Sequence, residues 1–434
     1  MKKNQITLIL LPSILLATNA SANRLDIELG LETAYTNNAN FSFSNKLSER
    51  QDRLTARATG KYKNTWLSSD IDYRISQLLF NKDSQDNRIE LDGTANILLG
   101  AENGRFNVAI NNSKRQVLGN ASETPSADNQ QTRDVTSILP RFNIIQNQAD
   151  QLSIAGIYSA VNFDQNQSTQ DSFDSTSTGV ELLYSRNISR VDTISAVIQQ
   201  LEVEYDDISV EYDYQSALLR YSTDLRQLDY SIAIGYNSVD PSIGPKDNAI
   251  QWELSAAFDN GVHQVTFLSE SYLTDPSRGN QNSILQDGLD QVALGNGFTA
   301  IVDQYNRTAH TLSYSTSSLC KLCNVSFTIS ASEEEYNVQT QEDNDELFIT
   351  LGGSYQLSRS SEIGISLSRQ EATYEPGSTL SSFDADIVSL HYNKELNRNL
   401  DISFLISQNE RTGSTTQDSF DEKRAVLGIT YRIN

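Results

Sequence analysis

Cys320-Lys321-Leu322-Cys323 is the first place to look for chemistry, because two thiols at this spacing can form a disulfide, relay electrons or supply half of a zinc site. They are the only two cysteines in the chain, so no second pair completes a four-thiolate centre. The spacing therefore points to a small-loop Cys320–Cys323 disulfide in an oxidising compartment, or to two incidental thiols, rather than to catalysis or metal binding. The three histidines, His263, His310 and His391, lie on separate segments with no nucleophile motif beside them. Only His310, next to a long polar stretch, is placed where a rim hydrolase of Ser/His type would use it. No G-x-S-x-G, Walker or dinucleotide fingerprint occurs. No catalytic residue, metal or cofactor is assigned, and the chain reads as a non-enzyme.

Charged residues alternating with apolar ones carry a different chemistry. Asp26, Glu28 and Glu32 alternate with Leu25, Ile27, Leu29 and Leu31. Arg53, Arg57 and Lys61 repeat the pattern, followed by Asp70, Asp72 and Arg74, and then by Arg88, Glu90 and Asp92. A period of two places all charges of one segment on one face of a β-strand and the apolar residues on the other. Opposite charges on neighbouring strands can pair, each pair stabilising by roughly 0.2–1 kcal/mol. A face of this kind either lines a channel that orders water and guides a polar solute or forms an ion lattice that keeps an interior wet.

The elements that must position these faces are strands throughout. About twenty candidates can be counted, among them 24–35, 53–62, 67–76, 88–99 and 423–433. The weakest is 133–144, where Pro140 lacks a ladder donor and calls for a bulge. Most are long enough to cross a bilayer, which takes roughly 9–11 tilted residues. Short connections such as Lys63-Asn64, Asn260-Gly261 and Lys394–Arg398 alternate with longer polar ones such as 36–52, 113–132 and 273–307. Tight turns on one side and extended loops on the other are the pattern of a membrane barrel. Asn260-Gly261 reads as a type I′ hairpin turn, and Ile284-Leu285 with Val292–Leu294 reads as a short helix or infolded plug. Tyr35, Tyr62, Tyr158, Tyr184, Tyr236, Trp252, Phe258, Tyr272, Tyr355 and Tyr392 lie near strand ends, where aromatic girdles form.

The first residues read as an export signal: Lys2 and Lys3, an apolar stretch from Ile6 to Ala17, and Ala20-Ser21-Ala22 as the cleavage site. This divides the chain into a signal peptide at 1–22 and a barrel at 23–434. The formal charge of −23 argues against a nucleic-acid partner, which requires a basic face. No apolar run reaches the roughly 18 residues of a helical span.

The segment Glu32-Thr33-Ala34-Tyr35-Thr36-Asn37-Asn38 resembles the start of the PEP-CTERM system-associated outer-membrane proteins, a β-barrel porin family of exopolysaccharide loci, with Asn37 where that family has Asp. Val292-Ala293-Leu294 with the strand through His310, Leu312 and Tyr314, and the ending Gly428–Ile433, are similar to the family's later regions. The family's last strand more often ends in an aromatic; here Asn434 closes the chain. The resemblance implies a Gram-negative outer-membrane barrel that passes a polysaccharide, perched in lipid and lipopolysaccharide beside a periplasmic export partner. It implies no catalytic residue.

The sequence therefore predicts an all-β protein: a transmembrane antiparallel up-and-down β-barrel of about twenty strands, with eighteen as the alternative. Its periplasmic turns are short and its extracellular loops long. Polysaccharide export is the leading expectation, ahead of a general or small-solute porin and of a barrel-anchored structural or adhesive surface protein.

Overall fold

The computed structural model describes residues 24–118, 124–125, 129–164, 174–206, 211–242, 244–274, 303–378, 380–416 and 418–433. The expected signal peptide and the apolar stretches at 284–285 and 292–294 lie outside them. Twenty strands follow one another in chain order. The first ten are β1 (Arg24–Thr36), β2 (Glu49–Lys63), β3 (Leu67–Phe80), β4 (Arg88–Leu99), β5 (Phe106–Leu118), β6 (Gln130–Gln146), β7 (Asp150–Asp164), β8 (Ser175–Asn187), β9 (Asp192–Tyr205) and β10 (Glu211–Asp224). The second ten are β11 (Leu228–Pro241), β12 (Asp247–Asp259), β13 (His263–Thr274), β14 (Tyr305–Thr316), β15 (Cys323–Tyr336), β16 (Asn344–Ser358), β17 (Ser361–Tyr374), β18 (Phe383–Asn397), β19 (Leu400–Gly413) and β20 (Phe420–Ile433).

Each strand pairs antiparallel with the next, and β1 pairs with β20 from Ile27↔Ile433 to Thr36↔Arg424, so the sheet closes on itself. Closure removes the unpaired edges that a lipid environment does not tolerate. With strands about 4.8 Å apart and tilted by about 40°, a circular section has a backbone radius of about 20 Å. That leaves a wide interior after side chains are added.

The alternation read in the sequence sorts the two faces. Leu219, Ile198, Ile234, Ile250 and Leu427 are more than half exposed, and Leu29, Ile365 and Leu390 nearly so. An apolar surface of this extent around a whole barrel needs lipid, since soluble monomers rarely show contiguous patches beyond a few hundred Å². Tyr35, Tyr62, Tyr158, Tyr184, Tyr236, Trp252, Phe258, Tyr355 and Tyr392 share this outer face by strand parity. Tyr272 does not. It faces inward, is almost fully buried, and accepts a hydrogen bond from Arg307 at 3.4 Å.

Three local expectations change. Pro140 produces no bulge: pairing with β7 skips residues 139–140 without a register change, and the shift comes later, between Asn143 and Ile145. Gly156 makes room, since a Cβ there would stand 3.2 Å from the proline ring. The turn is not a type I′ turn on Asn260-Gly261: the Asn260 N–H bonds the His263 carbonyl at 3.2 Å, which makes Gly261-Val262 the central pair, and of these only Gly261 has a positive φ, +83°. Positive φ at the first central position alone is the II′ pattern. The strands also run further into the expected outer loops; 36–52, for instance, shrinks to 37–48. Backbone pairing continues above the apolar band because it does not depend on apolar side chains.

Three of the short turns share one device. Asn64 Oδ1 accepts from the backbone N–H of Trp66 and Leu67, Asn147 from Ala149 and Asp150, and Asn260 from Val262 and His263, all at 2.7–3.0 Å. Such Asx contacts satisfy turn amides that have no strand partner.

Candidate functional site

The interior face is the candidate site, and the strand register decides its contacts. All twelve charged residues singled out in β1–β4 fall on this face. Glu28 lies opposite Arg57 and Glu32 opposite Arg53 across β1–β2, Lys61 opposite Asp70 across β2–β3, and Arg74 opposite Asp92 across β3–β4. The side chains meet accordingly: Arg57 Nε to Asp72 at 2.8 Å, Arg57 Nη1 to Glu28 at 3.8 Å, Arg53 to Glu32 at 3.7 Å, Lys61 to Asp70 at 2.8 Å and Arg74 to Asp92 at 3.1 Å. Arg88 pairs along its own strand with Glu90 at 2.8 Å and also donates to Gln130 on β6. Asp26 is held by Arg24 at 2.6 Å.

Closure adds members that the sequence reading did not find. Arg432 on β20 sits opposite Glu28, bonds it at 3.1 Å and reaches Asp401 on β19 at 2.5 Å. A charge chain thus runs Asp401–Arg432–Glu28–Arg57–Asp72 across the joint between the last and first strands. The parity of Arg432 was readable from the alternation of β20. Its partner was not, because the β1–β20 register exists only once the barrel closes.

The rest of the inner wall is built differently. Along β6–β7, β11–β12 and β14–β18, hydroxyls face each other in pairs: Ser137–Ser159 at 3.0 Å, Ser231–Ser255 at 2.8 Å, Thr311–Ser330 at 2.9 Å, Thr350–Ser368 at 3.1 Å and Ser366–Ser389 at 2.7 Å. Scattered cations there also have carboxylate partners, as in Arg141–Glu181 at 3.5 Å and Arg220–Glu253 at 2.7 Å. Most of the lumen's charge therefore neutralises itself, and much of the acidic excess stands elsewhere. Glu202, Glu204, Asp213, Glu333, Asp345, Glu371, Asp384 and Asp386 lie on the outer face at the long-loop end of their strands. The acidic total is accordingly a poor guide to ion preference inside.

At the long-loop end the inner face turns aromatic. Phe80, Phe163, Tyr205, Tyr212, Tyr272, Tyr305, Tyr336, Phe383 and Phe420 are all buried there. Tyr305 packs on Tyr336 with ring centroids 4.9 Å apart, and Phe41 from the 37–48 loop meets Phe420 edge-on at 5.2 Å. Apart from Tyr272, which the sequence reading placed in the outer girdles, these residues were missed in the sequence, although extending strand parity beyond the apolar band would have found them. Loops lean on this collar. Asp303 accepts from the backbone of Val338 and Gln339 at 2.8 Å, Glu342 is bonded by Ser378, and Asn337 reaches Pro245 at 3.5 Å. The β15–β16 connection is thereby tied to Asp303, in the residue pair preceding β14, and to the β11–β12 and β17–β18 connections.

Cys320 and Cys323 are joined in a disulfide in the turn before β15. His391 faces inward, 3.9 Å from Glu362. His310 faces outward rather than toward the rim of the lumen, with Nδ1 2.6 Å from the Ser269 hydroxyl and its ring beside Trp252. Ser269 is buried in the wall, and among the described residues no carboxylate bonds His310 to orient it. The pair does not assemble a nucleophile, base and orienting acid. Among the described residues no group of three or more His, Cys, Asp or Glu is arranged to hold a metal ion.

No protein-family model matches the chain, and no curated protein does. Solved structures are similar to it in fold. The siderophore receptor PirA from Acinetobacter baumannii aligns with a TM-score of 0.52 at 8% identity, covering 96% of this chain and 81% of that one. Pseudomonas aeruginosa OccK2 (OpdF), solved in complex with glucuronate, gives 0.41 at 11% identity over 95% and 97%. A loop-deletion mutant of OmpT, an outer-membrane protein of Vibrio cholerae, gives 0.37 at 11% over 95% and 100%. The chain is a closed twenty-stranded antiparallel barrel of the outer-membrane class.

Proposed function

We propose that this barrel is the outer-membrane conduit of an exopolysaccharide biosynthesis and export system, passing the polymer passively while synthesis or inner-membrane machinery supplies the drive. The observation that carries the reading is the inner wall: rows of Ser and Thr hydroxyls beside a largely self-neutralised ion lattice. Hydroxyls exchange hydrogen bonds with a sugar as readily as with water, and paired charges exert little net field on it. A hydrated polymer therefore meets neither a desolvation barrier nor a strong trap. The resemblance of Glu32–Asn38 and of the last strand to barrels of exopolysaccharide loci supports the same reading. The surroundings in this proposal are outer-membrane lipid, lipopolysaccharide and a periplasmic export partner. Deleting the gene should abolish or sharply reduce extracellular polysaccharide with cell integrity intact; normal polymer secretion by the deletion strain refutes it.

A small-solute porin is the second reading, favoured by the hydrogen bonds that tie the connections over β11–β18 to one another. It predicts steady ion conductance and an uptake defect in the deletion strain, with polymer secretion unchanged.

A further inference from the structure

The two ends of the barrel carry opposite charge. At the long-loop end the outer face is acidic, as in Glu202, Asp213, Glu371 and Asp386. The short turns reverse this: between strands they hold Arg105, Arg190, Arg226, Lys321, Arg359 and Arg398 against a single acid, Glu102. A net charge of −23 spread evenly over the chain would give the opposite excess. All six cations are exposed, and among the described residues none of their side chains makes a hydrogen bond, ion pair or ring contact.

The same turns expose apolar side chains. Leu225 precedes Arg226, Leu322 follows Lys321, Ile188 lies two residues before Arg190, and Leu357 and Leu396 lie two before Arg359 and Arg398. Leu319, in the turn with Lys321, is 70% exposed, more than any other large apolar residue among the described ones. The Cys320–Cys323 disulfide closes the small loop that presents Lys321 and Leu322 together. Lys394 shows where this edge lies. By strand parity it shares the outer face with Tyr392, stands one step beyond that girdle tyrosine, and is exposed.

Cations interleaved with exposed leucines at a membrane edge suit one environment. The apolar side chains enter the acyl boundary while the ammonium and guanidinium groups meet headgroup phosphates. An acidic polymer entering the lumen would satisfy the charges and leave the leucines in water. Short turns lie on the periplasmic side of such barrels. We propose that these turns form a ring that binds anionic phospholipid headgroups of the periplasmic leaflet, of the phosphatidylglycerol type, with the leucines seated at the acyl boundary. The ring fixes the depth of the barrel in the bilayer, whatever cargo the barrel passes.

The test is electron spin resonance of the folded full-length barrel in phosphatidylethanolamine vesicles, with spin-labelled phosphatidylglycerol and spin-labelled phosphatidylcholine as separate arms. Phosphatidylglycerol should associate with the barrel surface about threefold or more over phosphatidylcholine, and high salt should remove the preference. Combining Arg226→Gln, Lys321→Gln, Arg359→Gln and Arg398→Gln should abolish most of it. Combining Lys46→Gln, Lys82→Gln and Lys246→Gln, at the long-loop end, should leave it unchanged. A heat-shifted gel band confirms that each variant is folded; should the turn variant not fold, the salt dependence of the wild type decides. Equal association of the two lipids, a preference that survives high salt, or one that survives in the folded turn variant overturns the ring. If the wild type shows no lipid preference but binds trigalacturonate in calorimetric titration, and the turn variant does not, the turns serve an acidic polymer and the lipid assignment falls.

Discussion

Replacing Arg432 with Gln should destabilise the barrel by about 2 kcal/mol, because it cuts the charge chain at the joint that closes the sheet. Arg432 bonds Glu28 at 3.1 Å and Asp401 at 2.5 Å, and is 38% exposed to the lumen. At that exposure solvent screening limits each pair to about 0.2–1 kcal/mol. The larger part comes from Asp401. Its Oδ1 is already buried without a partner, and losing Arg432 removes the cation that compensates for this. An uncompensated buried acceptor adds about 1–2 kcal/mol. Glu28 loses less, since Arg57 remains 3.8 Å away. The double variant Asp401→Asn with Arg432→Gln should therefore recover about 1 kcal/mol of the loss. Urea unfolding in lipid vesicles, followed by the fluorescence of Trp66 and Trp252, measures both. Arg24→Gln is the control, since Arg24 is 79% exposed beside Asp26 and should change stability by less than about 0.5 kcal/mol. If Arg432→Gln matches wild type, or the double variant is no better than the single, the closure lattice does not support the fold.

Ile365 and Ser366 are neighbours in β17 with opposite exposures to lipid and lumen. Ile365→Lys should cost about 2–4 kcal/mol near the bilayer midplane, while Ser366→Lys should fold normally; a band-shift assay for folded barrel separates them. Gly93→Ala should largely prevent folding, because Gly93 has φ +148° and an added Cβ would stand 2.1 Å from the Asp72 carbonyl oxygen; normal yields of folded variant would show that the backbone can shift there. Reducing the Cys320–Cys323 disulfide should cost about 2 kcal/mol at most, as expected for so short a loop. The barrel should stay folded and its conductance unchanged in bilayer recordings. A large conductance change on reduction would mean that this turn is coupled to the lumen.

Strand number, the alternation of short and long connections and the inward parity of Asp26, Glu28, Glu32, Arg53, Arg57, Lys61, Asp70, Asp72, Arg74, Arg88, Glu90 and Asp92 were legible in the sequence. Each follows from a period of two, which is a local property of the chain. The inward turn of Tyr272 was not legible, because strand-end aromatics serve lipid and interior equally well in composition. The II′ geometry at Gly261 was hidden for a similar reason, since Asn-Gly is compatible with more than one turn.

Sequence alone determined that the chain is built of two-faced strands and which face of each one is polar. Tertiary structure decided which polar residues touch. Arg432 and Glu28 stand at opposite ends of the chain, and only closure of the sheet sets them side by side. Closure also leaves Arg424 beside Arg53 with Nε lacking a partner. Facing is a matter of backbone pleat and repeats every two residues; partnership depends on register across a closed ring, which no local pattern encodes.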